Sequence, residues 1–360
     1  MRAGASAALV VVGLLVASGV AVAAPVQGGA GPVERCAFSD RRLQAVSGLV
    51  VGSDGPRVVN DGGNPSSVFR LTRDCSVAAT RAVPTAGRDV EDMARAADGT
   101  IWLADVGDND RVRRSVTILR LPVSGGVLST SLAYPDGPHD AETLILPVDV
   151  RPVIVTKDLG GRSGVYTTDG PLPRTTASGS DPPTVLRRVG EVVVPPSDSP
   201  GGPAGPLGVG LLTGGALSPD GRVAALRTYT DAWLYPVAPG PGGPTAEDVV
   251  TALRAAPVRV PLAGEPQGEA VAFDVDGTLL SAGESPPGGP AGTLRAVPGA
   301  VASVESAAST AAPAASPGPV DTAATTPATG TWVALVAAST LLVLVVVVLV
   351  VATVRRRRPG

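Results

Sequence analysis

Five residues, Ser47, Glu91, Glu142, Thr213 and Glu269, open five similar segments of this chain, and three of the five are carboxylates. Carboxylates gathered in one ring repel one another and carry raised pKa values unless a cation or a basic group lies between them. A hard cation such as Ca2+ is held by oxygen ligands, so Glu91, Glu142 and Glu269, helped by Asp92 or Asp105, form the expected ligand set of one Ca2+. Such an ion can position an anionic ligand or activate water. Lys157, Arg227 and Glu284, with Asp105, close the runs that follow and are expected at the same mouth, where the two cations bind ligand or neutralise part of the ring. His139, the single histidine, stands beside Asp140 and is a further ligand-binding candidate, although an exposed loop histidine is the plainer reading. Asp105-Val106-Gly107-Asp108-Asn109-Asp110 offers a second cluster of oxygen ligands, without the Glu that closes an EF-hand loop.

Those residues need elements to bring them together, and the elements repeat. Seven residues after each first position stands a turn aspartate: Asp54, Asp98, Asp149, Asp220 and Asp276. Four of the five are followed by Gly, a hairpin-turn signal. These aspartates read as turn caps rather than as chemistry. An apolar run follows each turn, and a third strand is readable at Ser67–Leu71, Ser115–Leu121, Gly164–Thr167, Ala232–Val237 and Gly292–Val297. Val185–Val194 and Ala252–Leu262 are candidate fourth strands. Repeats of three or four antiparallel strands describe an all-β chain, a β-propeller of five blades whose first strands converge on a central channel. The long interval before Thr213, with the Pro/Gly/Ser-rich stretch Pro171–Gly210, leaves six blades as the alternative.

Asp89-Val90-Glu91-Asp92-Met93-Ala94 with Asp105-Val106-Gly107-Asp108-Asn109 resembles a motif of secreted bacterial β-propellers of the phytase-like, or esterase-like, group. Tyr134-Pro135-Asp136-Gly137-Pro138-His139-Asp140-Ala141-Glu142, Val155-Thr156-Lys157 and Glu265-Pro266-Gln267-Gly268-Glu269-Ala270 extend the resemblance, which spans roughly residues 40 to 298. It implies the propeller fold. Phytases of that group hold several Ca2+ ions with acidic residues and grip phosphate with Lys and Arg. This chain has one lysine and no basic cluster interleaved with its acids.

The ends give an expected location. Met1-Arg2, an apolar run and Ala21-Val22-Ala23 make a signal peptide over residues 1–23. Residues 331–354 form an uncharged, Val/Leu-rich stretch of 24 residues, long enough for one transmembrane helix, with Arg355 to Arg358 in a basic tail (355–360) on the cytoplasmic side. Between them, a propeller ectodomain (34–298) and an Ala/Ser/Thr/Pro-rich stalk (299–330) are expected outside a single-pass membrane anchor. Thr326-Pro327-Ala328-Thr329-Gly330 before the span resembles a sortase sorting signal, with Thr326 where leucine is usual, so attachment to the cell wall is the alternative. Cys36 and Cys75, an even pair in an exported chain, are expected as a disulfide.

Composition narrows the function. The net charge is −3, and the two ends contribute only arginine, so the middle is more acidic still and no nucleic-acid partner is expected. Against 45 Gly and 36 Pro stand three Trp, four Tyr and three Phe, which excludes a helical bundle and disfavours glycan binding by stacking. No Rossmann or P-loop turn, no G-x-S-x-G elbow and no thiolate metal site is present. Two classes stay open: a ligand-binding or sensing module for a small molecule, wall polymer or protein, and a metal-assisted hydrolase of phosphate esters or lactones.

Overall fold

The computed structural model describes residues 31–311 apart from 63–65, 84–86, 160, 174–181, 204–207, 209, 286–287 and 290. The signal peptide, the membrane span, the basic tail and the sorting-signal segment lie outside the described residues. No helix among the described residues is long and apolar enough to cross a membrane.

The chain enters through β1 (Val33–Ala37) and then winds blade after blade. Blade 1 is β2 (Val46–Gly52), β3 (Gly55–Asn60), β4 (Ser67–Leu71) and β5 (Val77–Ala82). Blade 2 is β6 (Val90–Arg95), β7 (Ile101–Asp105), β8 (Val116–Leu121) and β9 (Leu128–Ala133). Blade 3 is β10 (Ala141–Ile145), β11 (Val153–Thr156) and β12 (Arg162–Thr167), completed by β14 (Arg187–Val193), while the two-residue β13 (Thr184–Val185) adds to the edge of blade 2. Blade 4 is β15 (Leu212–Leu217), β16 (Val223–Thr228), β17 (Asp231–Pro236) and β18 (Val258–Pro261), with the helix α1 (Ala246–Ala252) between its last two strands. Blade 5 is β19 (Gln267–Phe273), β20 (Leu279–Glu284) and β21 (Thr293–Val297), and β1 from the other end of the chain is its outer strand. The sheets therefore number five among the described residues, and the long interval before Thr213 carries β13 and β14 rather than a sixth blade.

Three of the five turn aspartates cap as their type suggests, while Asp54 pairs with Arg57 and Asp149 accepts from the Ala246 N–H. Asp98, Asp220 and Asp276 each accept from the backbone N–H two residues on, at 2.9–3.1 Å. Glycine follows the aspartate in four of these hairpins with positive φ, and Val150 holds the same place in blade 3 with φ 51°.

Packing between blades supplies the core. Inward side chains of adjacent sheets form clusters such as Trp102, Ile118, Leu144, Ile154 and Tyr166 between blades 2 and 3. Ring closure is double: β1 pairs with β21 in antiparallel register, and the Cys36–Cys75 disulfide ties that strand to the β4–β5 turn of blade 1. The stretch expected to begin the stalk starts instead as helix α2 (Ala300–Ala311), whose Ala300 and Val304 are buried against blades 4 and 5. The folded unit thus extends past residue 298 because this first turn of the Ala-rich tract has an apolar face.

Candidate functional site

The inner strands carry a shared irregularity. In all five, the ladder with the second strand shifts register at one residue: between Val46 and Gly48, Val90 and Asp92, Ala141 and Thr143, Leu212 and Gly214, and Gly268 and Ala270. The residues left over are Ser47, Glu91, Glu142, Thr213 and Glu269. A β-bulge re-aims one side chain out of the alternating pattern. Here it does so in all five blades. All five are buried. Ser47 Oγ donates to the Glu91 carbonyl of the next blade at 2.6 Å, and Thr213 Oγ1 donates to the Gly268 carbonyl at 3.0 Å. The two hydroxyl positions lock neighbouring blades, which leaves the three glutamates for the mouth.

Around them stands a second tier. Asp61, Val106, Lys157 and Tyr229 are the first residues beyond β3, β7, β11 and β16, and Glu284 ends β20. Two residues before the bulged glutamates stand Asp89, Asp140 and Gln267. The mouth therefore gathers Asp61, Asp89, Glu91, Asp140, Glu142, Glu269 and Glu284 against one ammonium.

Carboxylate oxygens of Asp61, Asp89 and Glu91 lie within 4.8 Å of one another. Room for them is made by glycine: a methyl group at Gly107 would run into Glu91 Oε1 and the Asp89 carboxylate, and one at Gly62 into Asp89 Oδ1. On the other side, Lys157 donates to Glu142 Oε1 and lies 5.2 Å above the Tyr229 ring. Gln267 Nε2 donates to Glu269 Oε1 at 2.9 Å. The second oxygens, Glu142 Oε2 and Glu269 Oε2, are buried with no hydrogen-bond partner among the described residues. Beside Gln267 and Glu284 opens a cleft of about 340 Å³, with Arg295 and Thr293 on its wall.

The electrostatics follow from crowding. Burial, then the neighbouring Asp61 and Asp140, push the Asp89 carboxyl up to about 6. Burial raises Glu284 to about 6, with Asp61 adding to it. Burial raises Glu91 and Glu269 well above the ordinary carboxylate range, and in each the next cause is Glu142. Burial opposes the charge of Lys157, but Glu142 and Glu269 outweigh it, so the lysine stays an ammonium.

Other expected ligands are placed elsewhere. Asp92 is fully buried, and its oxygens accept from the backbone N–H groups of Met93 (2.8 Å), Leu144 (2.8 Å) and Gly215 (3.1 Å). It clasps blades 2, 3 and 4 with both of its oxygens. Asp105 pairs with Arg113 at 2.9 Å and accepts from the Asp89 N–H at 3.0 Å, so it holds Asp89 in place from behind. The oxygens of Asp108 accept from the Val112 and Arg113 amides, so Asp108 of the run that looked like a calcium loop holds its own turn. Arg227 is fully buried, ion-paired with Glu265 and donating to the Ala270 carbonyl at 2.9 Å, a tie between blades 4 and 5 rather than a channel lining. His139 lies against the third strand of blade 3, with Nε2 3.0 Å from Asp136 Oδ1 and 3.0 Å from the Tyr166 hydroxyl. Brought together from the expected set are Glu91, Glu142, Glu269, Lys157 and Glu284. Asp61, Asp89, Gln267 and Tyr229 join them; their common spacing from the bulged position and from the second-strand end was the signal available.

No protein-family model matches the sequence, and no curated protein matches it. Solved structures similar to it include a gluconolactonase from Xanthomonas campestris, 13% identical, covering 70% of this chain and 72% of that one with a TM-score of 0.37. A streptogramin B lyase is 17% identical over 74% of this chain and 97% of its own, with a TM-score of 0.36. The PQQ-bound aldose sugar dehydrogenase from Streptomyces coelicolor is 12% identical over 76% of this chain and all 100% of its own, with a TM-score of 0.39.

Proposed function

We propose that this propeller holds a hard divalent cation, Ca2+ first, at Asp61, Asp89 and Glu91, and acts as a ligand-binding module whose ligand completes the shell of that ion. The observation that carries the reading is the convergence of three carboxylates from blades 1 and 2 within 4.8 Å, in a pocket that Gly62 and Gly107 keep open. Like charges so close are stable only when protonated or when a cation joins them. Oxygen-only ligands of carboxylate type suit Ca2+ or Mg2+ rather than a soft metal. A cleft beside Gln267 and Glu284 of blade 5 gives a small ligand a place at the same mouth. Millimolar Ca2+ should then raise the melting temperature of the purified ectodomain, on the order of 5 °C at a hundredfold excess over Kd. Asp89→Asn should abolish the rise. A melting curve that Ca2+ leaves unmoved would overturn the reading.

A second reading, metal-assisted hydrolysis, is favoured by Glu284, a half-buried carboxyl carried to about 6 beside the ion site, where a general base is useful near neutral pH. Since Lys157 is engaged by Glu142, a lactone suits this mouth better than a phosphate ester. Turnover of a lactone panel that requires Ca2+ and falls at least tenfold in Glu284→Gln would support it. Hydrolysis unaffected by Glu284→Gln would remove it.

The same proposal places the propeller outside the cell on one C-terminal membrane span, with the signal peptide removed. Protease treatment of intact cells should release the domain. Release by wall-degrading enzymes instead would favour sortase attachment, and a protected domain with a cleaved tail would reverse the orientation.

A further inference from the structure

The mouth has two halves of similar build and different content. On the side of blades 1 and 2, Asp61, Asp89 and Glu91 converge with no ammonium or guanidinium hydrogen-bonded to them among the described residues. On the side of blades 3 to 5, Glu142 and Glu269 flank the Lys157 ammonium, and Glu284 stands between the two halves, under the influence of both Asp61 and Lys157. That ammonium donates to Glu142 Oε1, is held electrostatically by Glu269, and lies over the Tyr229 ring. Glu142 and Glu269 are each at least nine-tenths buried, and each keeps one oxygen without a hydrogen-bond partner among the described residues. A buried carboxylate oxygen left unpaired is costly, and it marks a site with more acceptor capacity than its resident donor uses.

We propose that the Lys157 side of the mouth is a second divalent-cation subsite, which the chain fills with its own ammonium and thereby limits the protein to one bound ion. The proposal rests on the cation site described under the proposed function, and Lys157 is its specificity-determining residue. An ammonium is a compact point charge on a flexible stem, able to occupy the position of a small ion between carboxylates. It neutralises one charge where a divalent ion would neutralise two, and one oxygen of each of Glu142 and Glu269 stays unpaired among the described residues. Methionine, uncharged and of similar length, removes the ammonium that lies 5.2 Å above the Tyr229 ring and frees the carboxylates for an ion. Removing the charge leaves three acidic side chains from blades 3 and 5, with Tyr229 of blade 4 at their edge, and these are ligands for the same class of hard ion.

The test is Ca2+ titration calorimetry on the metal-stripped ectodomain, comparing the natural protein with Lys157→Met and with Lys157→Met/Glu142→Gln. One ion is expected for the natural protein, two for Lys157→Met, and one again for the double variant, which removes the central ligand of the new subsite. Circular dichroism melting of each variant confirms that the counts come from folded protein. Two ions in the natural protein would overturn the second-subsite proposal while leaving the first site standing. One ion in Lys157→Met, folded and of unchanged affinity, would also overturn it. No ion in the natural protein but one in Lys157→Met would sustain this proposal and sink the Asp61/Asp89/Glu91 site instead.

Discussion

Ser47 Oγ reaches across the blade boundary to the Glu91 main-chain carbonyl at 2.6 Å, and its second contact, at 3.3 Å, is to the Glu91 carboxylate. One bulged residue thereby fixes the backbone of the next. Thr213 treats blade 5 the same way through the Gly268 and Glu269 carbonyls. The ring of five is a mechanical device as well as a chemical one: the two hydroxyl positions hold the backbone at Glu91 and at Glu269.

Asp92 should be the most sensitive single residue of the channel. Alanine there strands three buried amide N–H groups in blades 2, 3 and 4. With about 1–3 kcal/mol for each unsatisfied group, and partial relaxation, a loss of at least 3 kcal/mol is expected. Urea unfolding of Asp92→Ala should show it as a lower midpoint with an unchanged slope. A change below about 1 kcal/mol would contradict the clasp.

The disulfide closes the ring across 39 residues of sequence, and the chain-entropy model assigns such a loop about 4 kcal/mol. Cys36→Ser should lower the melting temperature by about 10 °C, as should reduction of the natural protein. Thiol titration of the unreduced native protein should find no free thiol.

Val150 offers a stabilising change. It holds φ 51° where the other four hairpins place glycine, and a β-branched residue there is strained. Val150→Gly should raise stability by about 1 kcal/mol, read as a rise of a few degrees in melting temperature. A fall would mean that its partly buried side chain contributes more by packing than its backbone costs.

Much of the propeller was legible because its signals are local. The turn aspartate, the following glycine and the alternating strands recur within each repeat, so blade number and the ring Ser47, Glu91, Glu142, Thr213 and Glu269 could be read by counting. What counting missed was the bulge. An extra residue leaves no mark in composition, yet it moves every later position of the pair by one. Asp105 and Arg227 were expected at the mouth as the ends of their second strands, whereas the residues that stand there in blades 2 and 4 are Val106 and Tyr229. Pairing of β1 with β21 is invisible for another reason: it joins residues some 260 positions apart, with no local pattern to announce it.

The acids of the mouth predict an unusual pH profile. Asp89 and Glu284 sit at about 6 in the fold, above their ordinary values of 3.8 and 4.5. Between those limits the folded state binds more protons than the unfolded state, so stability should fall as pH rises from about 4 to above 6. Asp40 and Asp54, held low by Arg42 and Arg57, act in the opposite sense and at more acidic pH. Ca2+ binding needs ionised carboxylates, so the Ca2+-induced rise in melting temperature should grow across the same window. A rise independent of pH would separate the ion from Asp89.

The central claim is that an ion sits among Asp61, Asp89 and Glu91. The measurement closest to it is an anomalous difference map from crystals of the ectodomain grown with Ca2+ and collected at long wavelength. A peak is expected with carboxylate oxygens of all three residues about 2.4 Å away. A map with no peak there, or with its peak at the Asp105–Asp110 loop or at Asp92, would contradict the account.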